Sequence, residues 1–215
     1  MQENQKNNFE IISMPPENTV SVLVSNGNNC VLFDPWGNAA DWVNLLAQRK
    51  LKPQAIYSTH GHPDHISAAP DLAQHFEVPW YLHSDDFYLI GWGNDLLNYF
   101  GLKSIDKNTA RPVALDVLQK RMLNDLDVQI IETPGHTPGG VMYYFPNERV
   151  LMAGDTVFQN SIGRYDLPRG NLQDLQQSVA KVCRLNLPDD TCVIHGHGEP
   201  TNIGYLRKNN PFFHE

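Results

Sequence analysis

Short apolar runs alternate with polar residues over the first third of the chain, then give way to stretches of helical spacing. Phe9 to Ser13, Thr19 to Ser25 and Cys30 to Asp34 read as strands. Asn26-Gly27-Asn28-Asn29 reads as a hairpin turn, because Gly and Asn tolerate the positive φ that such turns need. Trp42, Leu45 and Leu46 recur at helical spacing and predict a helix from about Asn38 to Arg49. Pro53 marks a loop before a strand at Ala55 to Ser58, and a helix running to about Phe76 follows. Trp80-Tyr81-Leu82-His83 is another strand. From Ser84 to Lys120 the residues Gly91, Gly93, Gly101 and Pro112 break any long period, so this stretch reads as irregular and as a candidate lid. Its aromatics Trp92, Tyr99 and Phe100 are expected in the core rather than on a lid surface. The second half repeats the style, with strands at Val128 to Glu132, Val141 to Phe145, Arg149 to Ala153 and Thr191 to His195, and a helix from about Asn171 to Leu185. Two strand-rich halves with covering helices are the expected architecture.

Composition narrows this little but usefully. With 215 residues, 41% of them apolar, the chain can bury a real core, and no linker divides it, so a single domain over residues 1–215 is expected. A formal net charge of -8 disfavours nonspecific binding to nucleic acid or to an anionic membrane. The first eight residues lack the apolar core of a signal peptide and no apolar span is long enough to cross a bilayer, so a soluble, cytoplasmic protein is expected. Cys30, Cys183 and Cys192 lie in apolar surroundings without CxxC spacing and read as free thiols with no chemistry assigned.

The chemistry concentrates in Thr59-His60-Gly61-His62-Pro63-Asp64-His65, directly after an apolar strand. Side chains two apart in extended chain point the same way, so His60 and His62 can converge on one ion, while Asp64 and His65 open the next helix and face a second position. Imidazoles with carboxylates suit zinc, iron or manganese, and the absence of a nearby Cys argues against a thiolate structural site. Thr133-Pro134-Gly135-His136-Thr137-Pro138-Gly139-Gly140 fixes one further imidazole in a loop after a strand. Asp155 ends the apolar strand Leu151-Met152-Ala153-Gly154, where a carboxylate needs a cation or donor. Val193-Ile194-His195-Gly196-His197-Gly198 adds two imidazoles after an apolar run, one expected as a ligand and the other as its neighbour.

This order of motifs, His-x-His-x-Asp-His, a distant His, Gly-Asp and Gly-His, resembles the metallo-β-lactamase superfamily from Val20 to Phe213. The resemblance implies an α+β fold, a four-layer αβ/βα sandwich of two facing mixed sheets with helices outside. It further implies that His60, His62 and His136 hold a first metal, that Asp64, His65 and His197 hold a second, and that Asp155 bridges both. Gly163-Arg164-Tyr165-Asp166-Leu167-Pro168-Arg169-Gly170, Gly196-His197-Gly198-Glu199-Pro200-Thr201 and Lys208-Asn209-Asn210-Pro211-Phe212-Phe213 look like the small glyoxalase II-like proteins, which lack a C-terminal helical domain.

The implied cofactors are two divalent metal ions, zinc foremost, with iron or manganese as alternatives. Such a pair can lower the pKa of a shared water towards neutrality and present hydroxide to a thioester such as S-lactoylglutathione. Asp64 is then the catalytic proton acceptor, by resemblance and by geometry. Arg164, Tyr165, Arg169 and Lys208 are candidate contacts for a peptide-like thiol's carboxylates. Two alternatives share the motif. One is a mononuclear Fe(II) persulfide dioxygenase, whose relatives carry a Gly-Arg-x-Asp segment; the other is a lactone or ester hydrolase.

Overall fold

The computed structural model describes residues 7–16, 19–115 and 126–214. They fall in two compact units. One takes the described residues up to Ser58 with His62–Leu82 and Phe87–Ala114, and the other takes Thr59–Gly61, His83–Asp86 and the described chain from Leu115 onward.

The first unit is built on a six-stranded mixed sheet whose order is β1-β2-β3-β4-β5-β6. Its strands are β1 (Asn8–Ser13), β2 (Val20–Asn26), β3 (Asn29–Phe33), β4 (Lys52–Tyr57), β5 (Trp80–Leu82) and β6 (Val113–Ala114). The first three pair antiparallel and β3 to β6 run parallel. β1 is an edge and keeps mostly exposed or half-buried positions, whereas β2, inside the sheet, buries Val20 to Val24 without a break. Asn26 pairs with Asn29, leaving Gly27-Asn28 as the two-residue hairpin loop, and Gly27 has a φ of 58°. Helix α1 (Ala39–Arg49) buries Trp42 and Leu46, four residues apart, and stops at Lys50 in the left-handed conformation. The apolar cluster of this unit joins Leu23, Leu32, Trp36, Trp42, Leu46, Ile56, Leu72 and Trp80.

Four expectations need correction here. Pro53 lies inside β4, opposite Cys30. It is tolerated because β5 pairs only with Ile56 and Tyr57, so the proline's missing N–H removes no bond to β5. The helix expected to run to Phe76 is broken into α2 (Pro63–Ile66) and α3 (Ala69–Phe76), with Pro70 in the first turn of α3. The stretch read as irregular carries a 3₁₀ helix at Ser84–Leu89 and helix α4 (Asn94–Tyr99), while residues 116–120 of it lie outside the described residues. Phe100 packs on the core as expected, but Trp92 is 45% and Tyr99 83% exposed.

The second unit holds a five-stranded mixed sheet in the order β11-β10-β9-β8-β7. The strands are β7 (Gln129–Glu132), β8 (Val141–Phe145), β9 (Val150–Gly154), β10 (Cys192–His195) and β11 (Thr201–Asn202). β8 and β9 are buried at every position, which is why their sequences are apolar runs without alternation. Helix α5 (Leu172–Arg184) is capped by Asn171, whose side chain accepts from the N–H groups of Gln173 and Asp174. Leu175, Ser178, Val179 and Val182 form its buried face. The pair β11 and α6 (Ile203–Asn209) extends the sequence-based expectation. The candidate ligands His60, Asp155 and His197 follow the carboxyl ends of strands with a parallel neighbour, β4, β9 and β10, and Asp34 follows β3 in the same way.

Candidate metal centre

Backbone requirements set the positions of the second unit's donors. Gly154, with a φ of 49°, ends β9, and a Cβ there would lie 2.6 Å from Thr59 Oγ1, so only glycine lets this strand end approach the residue before His60. The Gly196 N–H donates to the Gly154 carbonyl at 2.9 Å and brings the turn after β10 beside Asp155. The loop bearing His136 is clamped by α5: Ser178 Oγ donates to the Pro134 carbonyl at 2.7 Å, and a Cβ on Gly135 would meet Leu175 N at 2.2 Å.

Hydrogen bonds then fix which ring nitrogen of two imidazoles, His136 and His65, carries the proton. His136 Nδ1 lies 2.7 Å from the Arg164 carbonyl, an acceptor only, so Nδ1–H donates and Nε2 presents its lone pair. That nitrogen is 3.6 Å from Asp155 Oδ2, and His197 Nε2 is 3.4 Å from the same oxygen. His60 Nδ1 is 3.1 Å from Thr59 Oγ1, and the rings of His60 and His136 stand edge to face at 4.8 Å. In the first unit, buried His65 donates from Nδ1 to Asp34 Oδ2 at 3.0 Å, which turns Nε2 towards Asp64 Oδ2 at 3.5 Å. His62 precedes α2 with its ring 5.9 Å from that of Trp92.

Imidazole lone pairs set against carboxylate oxygens repel unless a cation lies among them. One potential ligand atom from each of His60, His62 and His136 lies within 4.8 Å of the others, and the same holds for His60, His65 and Asp155 and for Asp64, His65 and His197. The chemistry of this set, imidazoles and carboxylates with outer nitrogens held by a carbonyl or carboxylate, fits a divalent metal. All seven candidate ligands read from the sequence enter these trios; His195 enters none. His195 is buried at the end of β10 with its ring 5.4 Å from Phe158, and burial pushes its pKa down.

Sequence reasoning passed over Asp34, Thr59, Asp86 and the Arg164 carbonyl. Asp34 carried a usable signal, since Val31-Leu32-Phe33-Asp34 repeats the pattern of an apolar strand ending in Asp that singled out Asp155. The Arg164 carbonyl had none, because a backbone acceptor is independent of side-chain type. Gly163 is what admits it: a Cβ there would sit 1.9 Å from the Asp155 carbonyl oxygen and 3.2 Å from His136 Nδ1.

The candidate substrate contacts Arg164, Tyr165, Arg169 and Lys208 are all exposed. Arg164 forms a bidentate pair with Asp166, Nε to Oδ1 at 2.8 Å and Nη2 to Oδ2 at 3.0 Å, and its guanidinium holds that carboxyl below its ordinary pKa. Cys30, Cys183 and Cys192 are free thiols, and burial pushes that of Cys30 up to about 12. Among the described residues no helix is long and apolar enough to cross a membrane.

Comparison with known proteins agrees with this geometry. The hydroxyacylglutathione hydrolase GloC of Haemophilus influenzae is 33% identical over 207 residues, covering 95% of this chain and 97% of its own. A crystal structure of the BLEG-1 B3 metallo-β-lactamase superposes with a TM-score of 0.84 at 35% identity, over 96% of this chain and 99% of that one. TTHA1623 in a di-iron-bound form gives a TM-score of 0.80 at 32% identity, over 94% and 99%. The family model described as the metallo-β-lactamase superfamily matches residues 14–197, and the two mixed sheets with their helices accord with its α/β sandwich, so this chain belongs to that superfamily of metallo-hydrolases.

Proposed function

We propose that the protein is a binuclear metallo-hydrolase of small-molecule thioesters. In this reading His60, His62 and His136 hold one ion, Asp64, His65 and His197 hold another, and Asp155 serves both. The observation that carries it is the fixed tautomer of His136 and of His65, whose Nδ1–H groups are engaged by the Arg164 carbonyl and by Asp34. Each ring thereby offers Nε2 to a cation beside a carboxylate oxygen.

When bound, the ions supply two things, polarisation of the substrate carbonyl and a water whose pKa is lowered towards neutrality. The chain's own groups do the rest. Asp64 Oδ2 is the proton acceptor, held 3.5 Å from His65 Nε2 and 3.5 Å from Thr19 Oγ1. Asp155 directly follows Gly154, whose carbonyl accepts from the N–H of Gly196, the residue before His197. The Trp92 ring, half exposed beside His62, offers an apolar wall to the acyl group. Arg169 and Lys208 are the cations proposed to face the carboxylates of a peptide-like thiol; Tyr165 is proposed as a neighbouring contact, and the charge of Arg164 is already matched by Asp166.

The name of the Haemophilus relative supports S-lactoylglutathione as the first substrate to try. Zinc is the proposed metal, with iron or manganese as alternatives, and iron gains support from the di-iron form of TTHA1623. Thioester cleavage by metal-loaded protein should fall by several orders of magnitude in the Asp155→Ala variant. Equal rates in the two proteins, or no cleavage by either, refutes the proposal. Oxygen uptake on glutathione persulfide by iron-loaded protein would place the chain with the dioxygenases instead.

A further inference from the structure

Asp86 is fully buried, takes no part in the ligand trios, and accepts three hydrogen bonds that run to the two segments carrying His60 and His136. Its Oδ2 accepts from the Gly61 N–H at 2.9 Å and from Thr137 Oγ1 at 2.7 Å, and its Oδ1 accepts from the Gly139 N–H at 2.7 Å. Gly61 directly follows His60 and precedes His62, and Thr137 directly follows His136. Asp86 is itself fixed by the turn that opens the Ser84–Leu89 helix, where its own N–H donates to the His83 carbonyl at 3.0 Å.

We infer that Asp86 is a positioning residue for the metal centre, one carboxylate that sets the spacing between the His60-Gly61-His62 segment and the His136 loop. The inference rests on the proposed assignment of His60, His62 and His136 as ligands of one ion. One feature makes a carboxylate, and not merely a polar residue, the requirement. Both oxygens act as acceptors, so an amide in the same place sets an N–H₂ donor against either the Gly139 N–H or the Gly61 N–H. The carboxylate also sits against glycine by necessity: a Cβ on Gly139 would lie 2.8 Å from both Cγ and Oδ1 of Asp86. Small errors in the distance between two ligand-bearing segments act directly on coordination, because tolerances at metal–nitrogen bonds are about 0.2 Å.

The test uses the full chain stripped of metal and titrated with Co(II), whose visible absorption reports coordination geometry. Asp86→Asn is expected to bind cobalt about 10 to 100-fold more weakly, the range found for outer-shell partners of metal ligands, and to change the shape of the cobalt spectrum. Thr137→Val, which removes one of the three donors and keeps the carboxylate, should show a smaller loss in the same direction, and it decides the matter if the asparagine variant fails to fold. A folded variant with lowered thermal stability but wild-type cobalt affinity and spectrum would overturn the inference and reduce Asp86 to scaffold. If the wild-type protein takes up no cobalt, the ligand assignment itself fails, and this inference with it.

Discussion

Replacing Gly163 by alanine tests how the centre is built, because the side chain it lacks is what lets three groups meet. The added Cβ would stand 1.9 Å from the Asp155 carbonyl oxygen and 3.2 Å from His136 Nδ1. Carbon and oxygen in contact settle at about 3.3 Å or more, so one of the two segments must retreat by more than about 1 Å. Any such retreat strains the 2.7 Å bond from His136 Nδ1 to the Arg164 carbonyl and shifts the backbone of Asp155. Losing one neutral hydrogen bond costs about 0.5–1.5 kcal/mol of stability. A displacement of about 1 Å at a reacting centre can cost about 100-fold in turnover. Gly163→Ala should therefore lose about two orders of magnitude in thioester kcat and retain less metal after dialysis, with a stability loss of a few kcal/mol at most in urea titration. Gly101→Ala is the matched control, since Gly101 has a φ of 72° and nothing within 4 Å of an added Cβ. Left-handed backbone strain alone should cost it about 1 kcal/mol and leave metal content and kcat unchanged. Wild-type kcat and metal content in Gly163→Ala, or equal losses in the two variants, would refute the reasoning.

Three further outcomes follow from other contacts. Asp34→Asn replaces the carboxylate that orients His65 Nδ1–H, so metal affinity should drop about 10 to 100-fold by chelator competition, and an unchanged affinity would remove Asp34 from the centre. Trp92→Ala removes an exposed ring beside His62 and should raise KM for an acyl thioester with little change in metal content; loss of metal instead would make Trp92 a structural support. The buried Cys30 thiol keeps its proton up to about pH 12, whereas the unfolded chain releases it near 9.0, so its contribution to stability is complete below pH 9 and is lost as the pH rises through that window. The stability difference between wild type and Cys30→Ala in urea should thus shrink by about 1.4 kcal/mol per pH unit between pH 9.5 and 11, and a difference independent of pH contradicts the burial of the thiol.

Much of this protein was legible in its sequence where one residue type has one physical use. Largely apolar runs found the central strands β2, β8 and β9, and Asn-Gly found the hairpin between β2 and β3. Imidazoles in the His60 to His65 segment, and the charge of Asp155 after an apolar strand, marked the candidate ligands because burial of such groups demands a partner. Legibility failed where the deciding factor was distant. Pro53 punctuates a sequence but sits harmlessly in β4 because its neighbour strand is short. Trp92 and Tyr99 were expected inside on hydrophobicity alone, although only packing decides which aromatics find a place there. The groups that orient the ligands escaped for the same reason: the bonds of Asp86 to Gly61, Thr137 and Gly139 span up to 53 positions in sequence.

The central claim, that two metal ions held by the seven ligands drive thioester cleavage, is tested most directly by titrating metal-free protein with zinc while following the initial rate of S-lactoylglutathione cleavage. The account expects the rate to rise from near zero to a plateau at two zinc ions per chain. A plateau reached at one ion, or no cleavage with two ions bound, contradicts it.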